Sequence, residues 1–359
     1  MNGTVMITTG GTGGHVFPGL AVAARLLARG WRVFWLGTRE GLEAKLVPEY
    51  GVEFEGIRFV GVRGKGLQRL LLGPFALLNA CRQSLFIIRR RAPDVVLGFG
   101  GFASFPGALM GVACGKPLVI HDANAVAGLA NRVLAYGADR ILQGFPGAFS
   151  GRHADKAEWV GNPVREDIAA LPPPEERYRG RGGPLKLLVL GGSLGAVALN
   201  ERVPAAFALL PASSRPIVTH QAGERHLHAL RAAYATAGVE AECVPFIIDM
   251  AESYARSDLV LCRSGGLTVA ELAAVGVAAV LVPLPGAIAD EQTRNARFLV
   301  DAGAAVLVPQ AELSPERLAA FLGWSRERLL EMAIAARRLG RTDAAERVAQ
   351  ACVTEARRR

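Results

Sequence analysis

Apolar residues along this chain gather in short unbroken runs, separated by longer stretches with helical spacing, and the two kinds alternate from end to end. In the first half the short runs predict strands at Thr4–Thr8, Arg32–Leu36, Asp94–Gly98, Pro117–His121 and Arg140–Gln143. Between them, Pro18–Arg29 and Pro74–Arg91 carry the period of helices. The second half repeats the pattern, with strands expected at Leu185–Leu190, Pro216–His220, Ala241–Pro245, Asp258–Cys262 and Ala278–Val282. Alternation of this kind specifies a parallel sheet with helices on both faces.

Each half opens on the same unit, an apolar strand followed by a glycine-rich turn and a helix. The first is VMITTGGTGGH, Val5 to His15, and the second is LKLLVLGGSLGA, Leu185 to Ala196. Each stands where a doubly wound domain places its first strand-to-helix turn. The fold class predicted is therefore α/β, with two Rossmann-like domains in tandem. Turn residues at Gly161-Asn162-Pro163 mark the boundary, and the proline-rich stretch Leu171–Pro184 reads as a loop. Periodicity alone leaves open which domain receives the last helix, Thr342–Arg358.

Composition narrows the picture. At 359 residues with 51% hydrophobic and 20% charged positions, the chain has material for two cores and is not a disordered segment. Cys81, Cys114, Cys243, Cys262 and Cys352 are scattered and form no C-x-x-C pair, which excludes a disulfide framework and a cysteine-based metal site. The first residues predict no secretory leader, and no run approaches the roughly 20 apolar residues of a membrane span. A net charge of +9 points to an anionic partner, although an arginine-rich composition alone produces the same sum.

Candidate chemistry sits at the predicted strand ends. Gly10-Gly11-Thr12-Gly13-Gly14-His15 and Gly191-Gly192-Ser193-Leu194-Gly195-Ala196 let backbone N–H groups approach an anion at a helix N-terminus. Neither turn fits G-x-G-x-x-G or the P-loop pattern, which counts against a nicotinamide dehydrogenase and a nucleoside triphosphatase. His15 is placed to donate to an oxyanion or to act as a base; as a lone histidine it reads equally as a capping residue. Arg263-Ser264-Gly265-Gly266 enters another helix, in which Glu271 could accept from a ribose diol or merely complement the helix dipole. Gly98–Phe102, His121–Asn124 and the helix start at Ala289–Ala296 complete the set. Two glycine turns facing a shared cleft imply phosphate-bearing ligands, with no metal motif and no nucleic-acid module.

These residues also resemble a known family. The segments GGTGGHVFPGLAVA (Gly10–Ala23), RGKG (Arg63–Gly66), PDVVLGFGGFAS (Pro93–Ser104), AGLANR (Ala127–Arg132), FPGAF (Phe145–Phe149) and VGNPVR (Val160–Arg165) are similar to the MurG family of UDP-N-acetylglucosamine transferases. LGGSLGA (Leu190–Ala196), ALN (Ala198–Asn200), Phe246–Leu272 and QTRNA (Gln292–Ala296) extend the likeness nearly end to end. Four positions depart from it: Phe102 stands where tyrosine is common, Asp122-Ala123 replace Glu-Gln, and Leu194 replaces glutamine.

The resemblance implies a GT-B fold and an inverting transfer of N-acetylglucosamine from UDP to the 4-hydroxyl of a muramoyl-pentapeptide on polyprenyl diphosphate. Ile247 is implied at the uracil, Glu271 at the ribose, and Ser193 with Arg165 at the diphosphate. Gln292 and the turn Gly266, Leu267, Thr268, Val269 and Ala270 are implied at the sugar and phosphates. Thr12, Gly13, Gly14 and Asn124 are implied on the opposite wall. His15 is the leading candidate for the base and Asp122 its rival. No cofactor or metal ion is expected. The resemblance assigns 1–163 with 342–359 to the acceptor and membrane side, and 164–341 to the donor. It implies a peripheral protein at the cytoplasmic face of the bacterial inner membrane, bound to an anionic surface through Arg63–Arg91. An epimerase of UDP-N-acetylglucosamine, a transferase with another acceptor and a non-catalytic sugar-nucleotide sensor are the competing readings.

Overall fold

Among the described residues, seven strands of the amino-terminal half pair side by side, all parallel: β1 (Thr4–Thr8), β2 (Arg32–Thr38), β3 (Glu53–Ile57), β4 (Val95–Gly98), β5 (Leu118–Asp122), β6 (Arg140–Gln143) and β7 (Ala157–Trp159). Their order is β3-β2-β1-β4-β5-β6-β7. The structure is a computed structural model that describes residues 2–59, 67–192 and 195–358, without the side chains of 67–72 and 288. Ser193, Leu194 and the Arg63–Gly66 motif therefore lie outside the described residues. A second all-parallel sheet comprises β8 (Lys186–Leu190), β9 (Ile217–Gln221), β10 (Glu242–Val244), β11 (Leu259–Cys262), β12 (Ala278–Leu281) and β13 (Ala305–Leu307), in the order β10-β9-β8-β11-β12-β13.

The chain divides into two compact units, Met1–Arg165 with Arg341–Arg359, and Glu166–Gly340. This division puts Arg165 in the first unit, two residues beyond the boundary expected from turn residues. Strand alternation explains the first core. Val5 and Ile7 face the helix Gly13–Ala28 and the last helix, Ala344–Arg357, through Val16, Leu20, Val348 and Cys352. Met6, Phe34, Val96 and Ile120 face the other way, against Ile87, Ile88 and Ala108. Gly19 lies where a Cβ would collide with the ring of Trp35, so the helix packs closely on β2. That helix begins five residues before the expected Pro18, which stands inside it in the second turn.

Three strands escaped the hydrophobic pattern. β3 alternates glutamate with apolar residues around Gly56, and β7 and β13 are three residues long. All three lie at or near sheet edges, where one flank goes unpaired.

In the second unit, Leu187, Val189, Leu261 and Val280 pack on Leu199, Val203 and Ala333. The Leu171–Pro184 stretch, expected as a plain loop, contains the short helix Pro174–Arg177 and buries Tyr178. Asp258 holds it there. Its Oδ1 accepts from Arg181 at 2.6 Å, and its Oδ2 accepts from the Lys186 N–H at 2.9 Å and faces Arg326 at 3.5 Å. The Tyr178 hydroxyl donates to the Asp258 carbonyl at 2.9 Å. Asp258 is only 1% exposed, so removing its carboxylate strands Arg181 without a counter-charge. Asp258→Ala is expected to cost the second unit about 3 kcal/mol, seen as a lower urea midpoint at unchanged slope.

Candidate active site

In each sheet the strand order reverses beside the first strand, between β1 and β4 and between β8 and β11. The turns leaving those strands are adjacent, and ligands of doubly wound sheets gather there. In the first unit the turn after β1 runs through Gly10 and Gly11 to Thr12, and the turn after β4 through Phe99, Gly100 and Gly101. Gly11, Gly100 and Gly101 have φ of +108°, +77° and +77°, conformations that require glycine. Thr12 is the exposed N-cap residue of the helix Gly13–Ala28, its carbonyl accepting from the His15 N–H at 3.0 Å. Gly13 and Gly14 form the first turn.

Glu43 shapes this loop from behind, and nothing in the sequence pattern marked it. It sits in the first turn of the helix Leu42–Glu49 with no exposed surface. Its Oε1 accepts from the Thr38 N–H at 2.9 Å and the Thr38 hydroxyl at 2.7 Å, and its Oε2 accepts from the Gly11 N–H at 3.2 Å. A Cβ at Gly10, Gly37 or Gly41 would strike its side chain. The signal was dispersed: Gly10, from a separate turn, joins the nearby Gly37 and Gly41 in clearing the space for one carboxylate. Trp35 ties the same turn to β2 through Nε1, which donates to the Thr9 carbonyl at 3.1 Å.

His15, His121 and Asp122 cluster beside Phe99. His15 Nδ1 is buried without a hydrogen-bond partner. Burial pulls its pKa below the usual imidazole value, while Asp122 and the Phe99 backbone pull it back up. The neutral ring is the form that can accept a proton. Asp122 ends β5 at 4% exposure, and burial raises its pKa against the opposing donors around it. Those donors are fixed: Oδ1 accepts the Asn124 N–H at 3.1 Å, and Oδ2 accepts from the Gly128 N–H at 2.8 Å and Asn131 Nδ2 at 3.0 Å. The two candidates for base thus differ, one carrying an open nitrogen and the other a carboxylate committed to holding a turn. His121 donates through Nε2 to the Gly161 carbonyl at 2.9 Å, with its ring 5.2 Å from Phe99. Arg165, at the end of this unit, lies over the Phe17 ring at 5.5 Å and keeps a buried Nε without a partner.

The second unit builds its site from the turns after β8 and β11. Gln221 donates to the Gly192 carbonyl at 3.0 Å and accepts, through its own carbonyl, from the Gly191 N–H at 3.3 Å. Arg263, next to the glycine turn, is spent on structure: it donates to the Val282 and Pro283 carbonyls at 3.1 and 3.2 Å and to Gln310 at 2.6 Å. Ser264 Oγ is buried without a partner where the helix Gly266–Val275 begins. Along that helix Gly266 and Val269 are buried, so Val269 can reach a ligand only through its backbone, while Leu267, Thr268 and Ala270 are half-exposed. Glu271 is 8% exposed and Ile247 7%. Gln292 Oε1 accepts from the Leu284 N–H at 2.9 Å, tying the helix Glu291–Val300 to the preceding loop.

The helix Leu67–Arg91, expected at a membrane, exposes Phe75, Leu78 and Phe86 at 72%, 69% and 65%. Arg39, Arg82, Arg90 and Phe86 line a surface hollow of about 370 Å³. Two of the arginines counted toward the anionic surface are engaged: Arg90 pairs with Glu55, and Arg91 with Glu53 and Glu55, each at 2.7 Å. Arg63 and Lys65 lie outside the described residues, as do the side chains of Arg69 and Leu70–Leu72. Among those described, no helix is long and apolar enough to cross a membrane.

Two all-parallel units, each with paired glycine turns at its switch point, define a GT-B protein. The profile of the glycosyltransferase family 28 N-terminal domain matches residues 5–143, and that of the family 28 C-terminal domain matches residues 186–348. A UDP-N-acetylglucosamine–N-acetylmuramyl-(pentapeptide) pyrophosphoryl-undecaprenol N-acetylglucosamine transferase of Ralstonia nicotianae is 56% identical, over 99% of this chain and 97% of its own. A protein of the same name from Aromatoleum aromaticum is 57% identical over 97% of each. The crystal structure of Acinetobacter baumannii MurG superposes with a TM-score of 0.84 at 39% identity, covering 98% of this chain and 99% of that one. The chain belongs to the MurG family of glycosyltransferases.

The buried imidazoles make stability depend on pH. Burial, opposed by the Gly161 carbonyl, lowers His121 to about 4, and burial lowers His220, which is bonded to Tyr234 and Asn200, to about 3. Both lie below the unfolded value of about 6.5, so between those limits the unfolded chain binds more protons. Stability is complete above pH 6.5 and declines as pH falls. Each histidine is expected to cost about 2 kcal/mol at pH 5 relative to pH 7.5, read from denaturant midpoints. Imidazole NMR signals that titrate near 6.5 would contradict this account.

Proposed function

We propose that the chain transfers N-acetylglucosamine from UDP-N-acetylglucosamine to the 4-hydroxyl of undecaprenyl-diphospho-muramoyl-pentapeptide, with inversion, in peptidoglycan synthesis. The observation that carries this reading is relatives bearing that transferase name at 56–57% identity over nearly the whole chain. The site chemistry agrees with it. A departing UDP develops charge on its diphosphate, and donors already in place stabilise that charge most effectively. Arg165, Ser193 and the amides of Gly266, Leu267, Thr268, Val269 and Ala270 are assigned to that task and to the sugar. They supply positive charge from the protein itself, so transfer is expected without a divalent ion.

Ile247 takes the uracil, Glu271 the ribose and Gln292 the sugar. In the first unit Thr12, Gly13, Gly14 and Asn124 border the acceptor. His15 takes the proton of the attacking hydroxyl: its ring is held neutral by burial and Nδ1 has no competing partner. Asp122, saturated by Asn124, Gly128 and Asn131, orients that wall instead of accepting the proton. The exposed Phe75, Leu78 and Phe86, together with Arg82 and Arg89, form a peripheral contact with an anionic bilayer at the cytoplasmic face of the inner membrane.

The test is transfer of radiolabelled N-acetylglucosamine to the lipid-linked acceptor, held in anionic or neutral vesicles with a chelator present. Full transfer under chelation, faster on anionic vesicles, is expected; loss of transfer on chelation overturns metal independence, and equal rates overturn the membrane assignment. His15→Ala is expected to lower kcat by about 100-fold or more while changing donor KM little. Near-full turnover would remove His15 as the base.

A further inference from the structure

The short helix Met250–Arg256 links two parts of the donor site that are distant in sequence. Its upstream end is fixed by Asp249, whose Oδ1 accepts from the Glu252 N–H at 2.8 Å. Ile247 lies just before that cap. On the inward side of the helix, Tyr254 is completely buried, and its hydroxyl donates to Oε2 of Glu271 at 3.0 Å. A phenol taken out of water needs a partner for its O–H, and here that partner is a carboxylate.

We propose that Tyr254 is a positioning residue for donor specificity, its hydroxyl holding the Glu271 carboxylate in the plane that receives the ribose diol of the UDP-sugar. The inference rests on the assignment of Glu271 to the ribose. A carboxylate offers about four lone-pair sites, so one phenolic donor leaves room for sugar hydroxyls. The terminal torsion of a glutamate is otherwise broad. Ordering it before the donor arrives removes an entropic cost from binding. The same helix begins three residues after Ile247, so the segment assigned to the base runs into the helix whose Tyr254 holds Glu271. A site that hydrogen-bonds a hydroxyl rejects the analogue lacking it, because its own polar group is left unpaired. Tyr254 therefore sharpens the preference for ribonucleotide over deoxyribonucleotide donors.

The experiment compares UDP-N-acetylglucosamine with its 2′-deoxyuridine counterpart as donors for the wild-type enzyme, Tyr254→Phe, Glu271→Gln and Glu271→Asp. Tyr234→Phe serves as the control, since it removes a hydroxyl from the core of the same unit, where it is bonded to His220. Tyr254→Phe is expected to raise KM for the ribonucleotide donor by about 5- to 10-fold with kcat nearly unchanged. The deoxy donor is little affected, so the preference narrows. Glu271→Asp, which keeps the charge but draws it away from the phenol, is expected to narrow it likewise, while Tyr234→Phe keeps the wild-type ratio.

If Glu271→Gln abolishes the preference while Tyr254→Phe retains it, the role of Tyr254 is overturned and Glu271 stays at the ribose. A Tyr254→Phe enzyme weakened equally toward both donors shows a structural role only, which also overturns the inference. Full preference in Glu271→Gln overturns the ribose assignment itself and this inference with it. Should Tyr254→Phe fail to fold, Glu271→Asp decides: an unchanged ratio overturns the proposal.

Discussion

Parallel pairing is the constraint from which the rest of each unit follows. Because all strands of a parallel sheet run the same way, every turn that leaves a carboxyl end emerges on the same edge. Where the order reverses, beside β1 and again beside β8, the crossovers depart to opposite faces and leave two turns side by side. The glycines there answer a backbone demand, since Gly11, Gly100 and Gly101 all have positive φ. Chemistry is then added by whichever side chains the neighbouring strands deliver: His15 and Asp122 in one unit, Ser264 and Glu271 in the other.

Buried charge in both units organises backbone. Glu43 collects a peptide N–H from the glycine turn along with both donors of Thr38, and Asp258 gathers an arginine, a strand N–H and the end of a loop. Each carboxylate would be costly if left bare. Each is surrounded instead by donors from more than one element, so its loss releases a loop as well as a contact. Asp122 follows the same logic at the very edge of the candidate site. That distinguishes it from His15, whose buried Nδ1 has no hydrogen-bond partner.

Interior strands were legible because both faces are buried and the residues must be apolar throughout, as in β1, β4, β8 and β11. Three of the four edge strands were not, since a strand such as β3 can place Glu53 and Glu55 toward arginines of a neighbouring helix. The glycine turns were legible for the same reason as the interior strands: few residue types satisfy them. Glu43 and Tyr254 were silent because part of their meaning lies in partners on other elements, Gly11 for the first and Glu271 for the second. An acid in a first helical turn and a tyrosine on an amphipathic helix look ordinary until Gly10, Gly37 and Gly41, or Glu271, are brought against them. Arg263 misled in the opposite sense, standing beside a glycine turn yet bonded to the carbonyls of Val282 and Pro283.

The last helix belongs to the core of the first unit, where Val348, Ala349 and Cys352 lie against Val5 and Ile7. The second unit is continuous and closes at Gly340. On the ribosome this inverts the usual order of assembly, in which amino-terminal domains finish first. The second core has its residues once Ala333 has emerged, whereas the first must wait with one face open until Cys352 and Val353 have been made. The amino-terminal unit is thus the later of the two to complete its core.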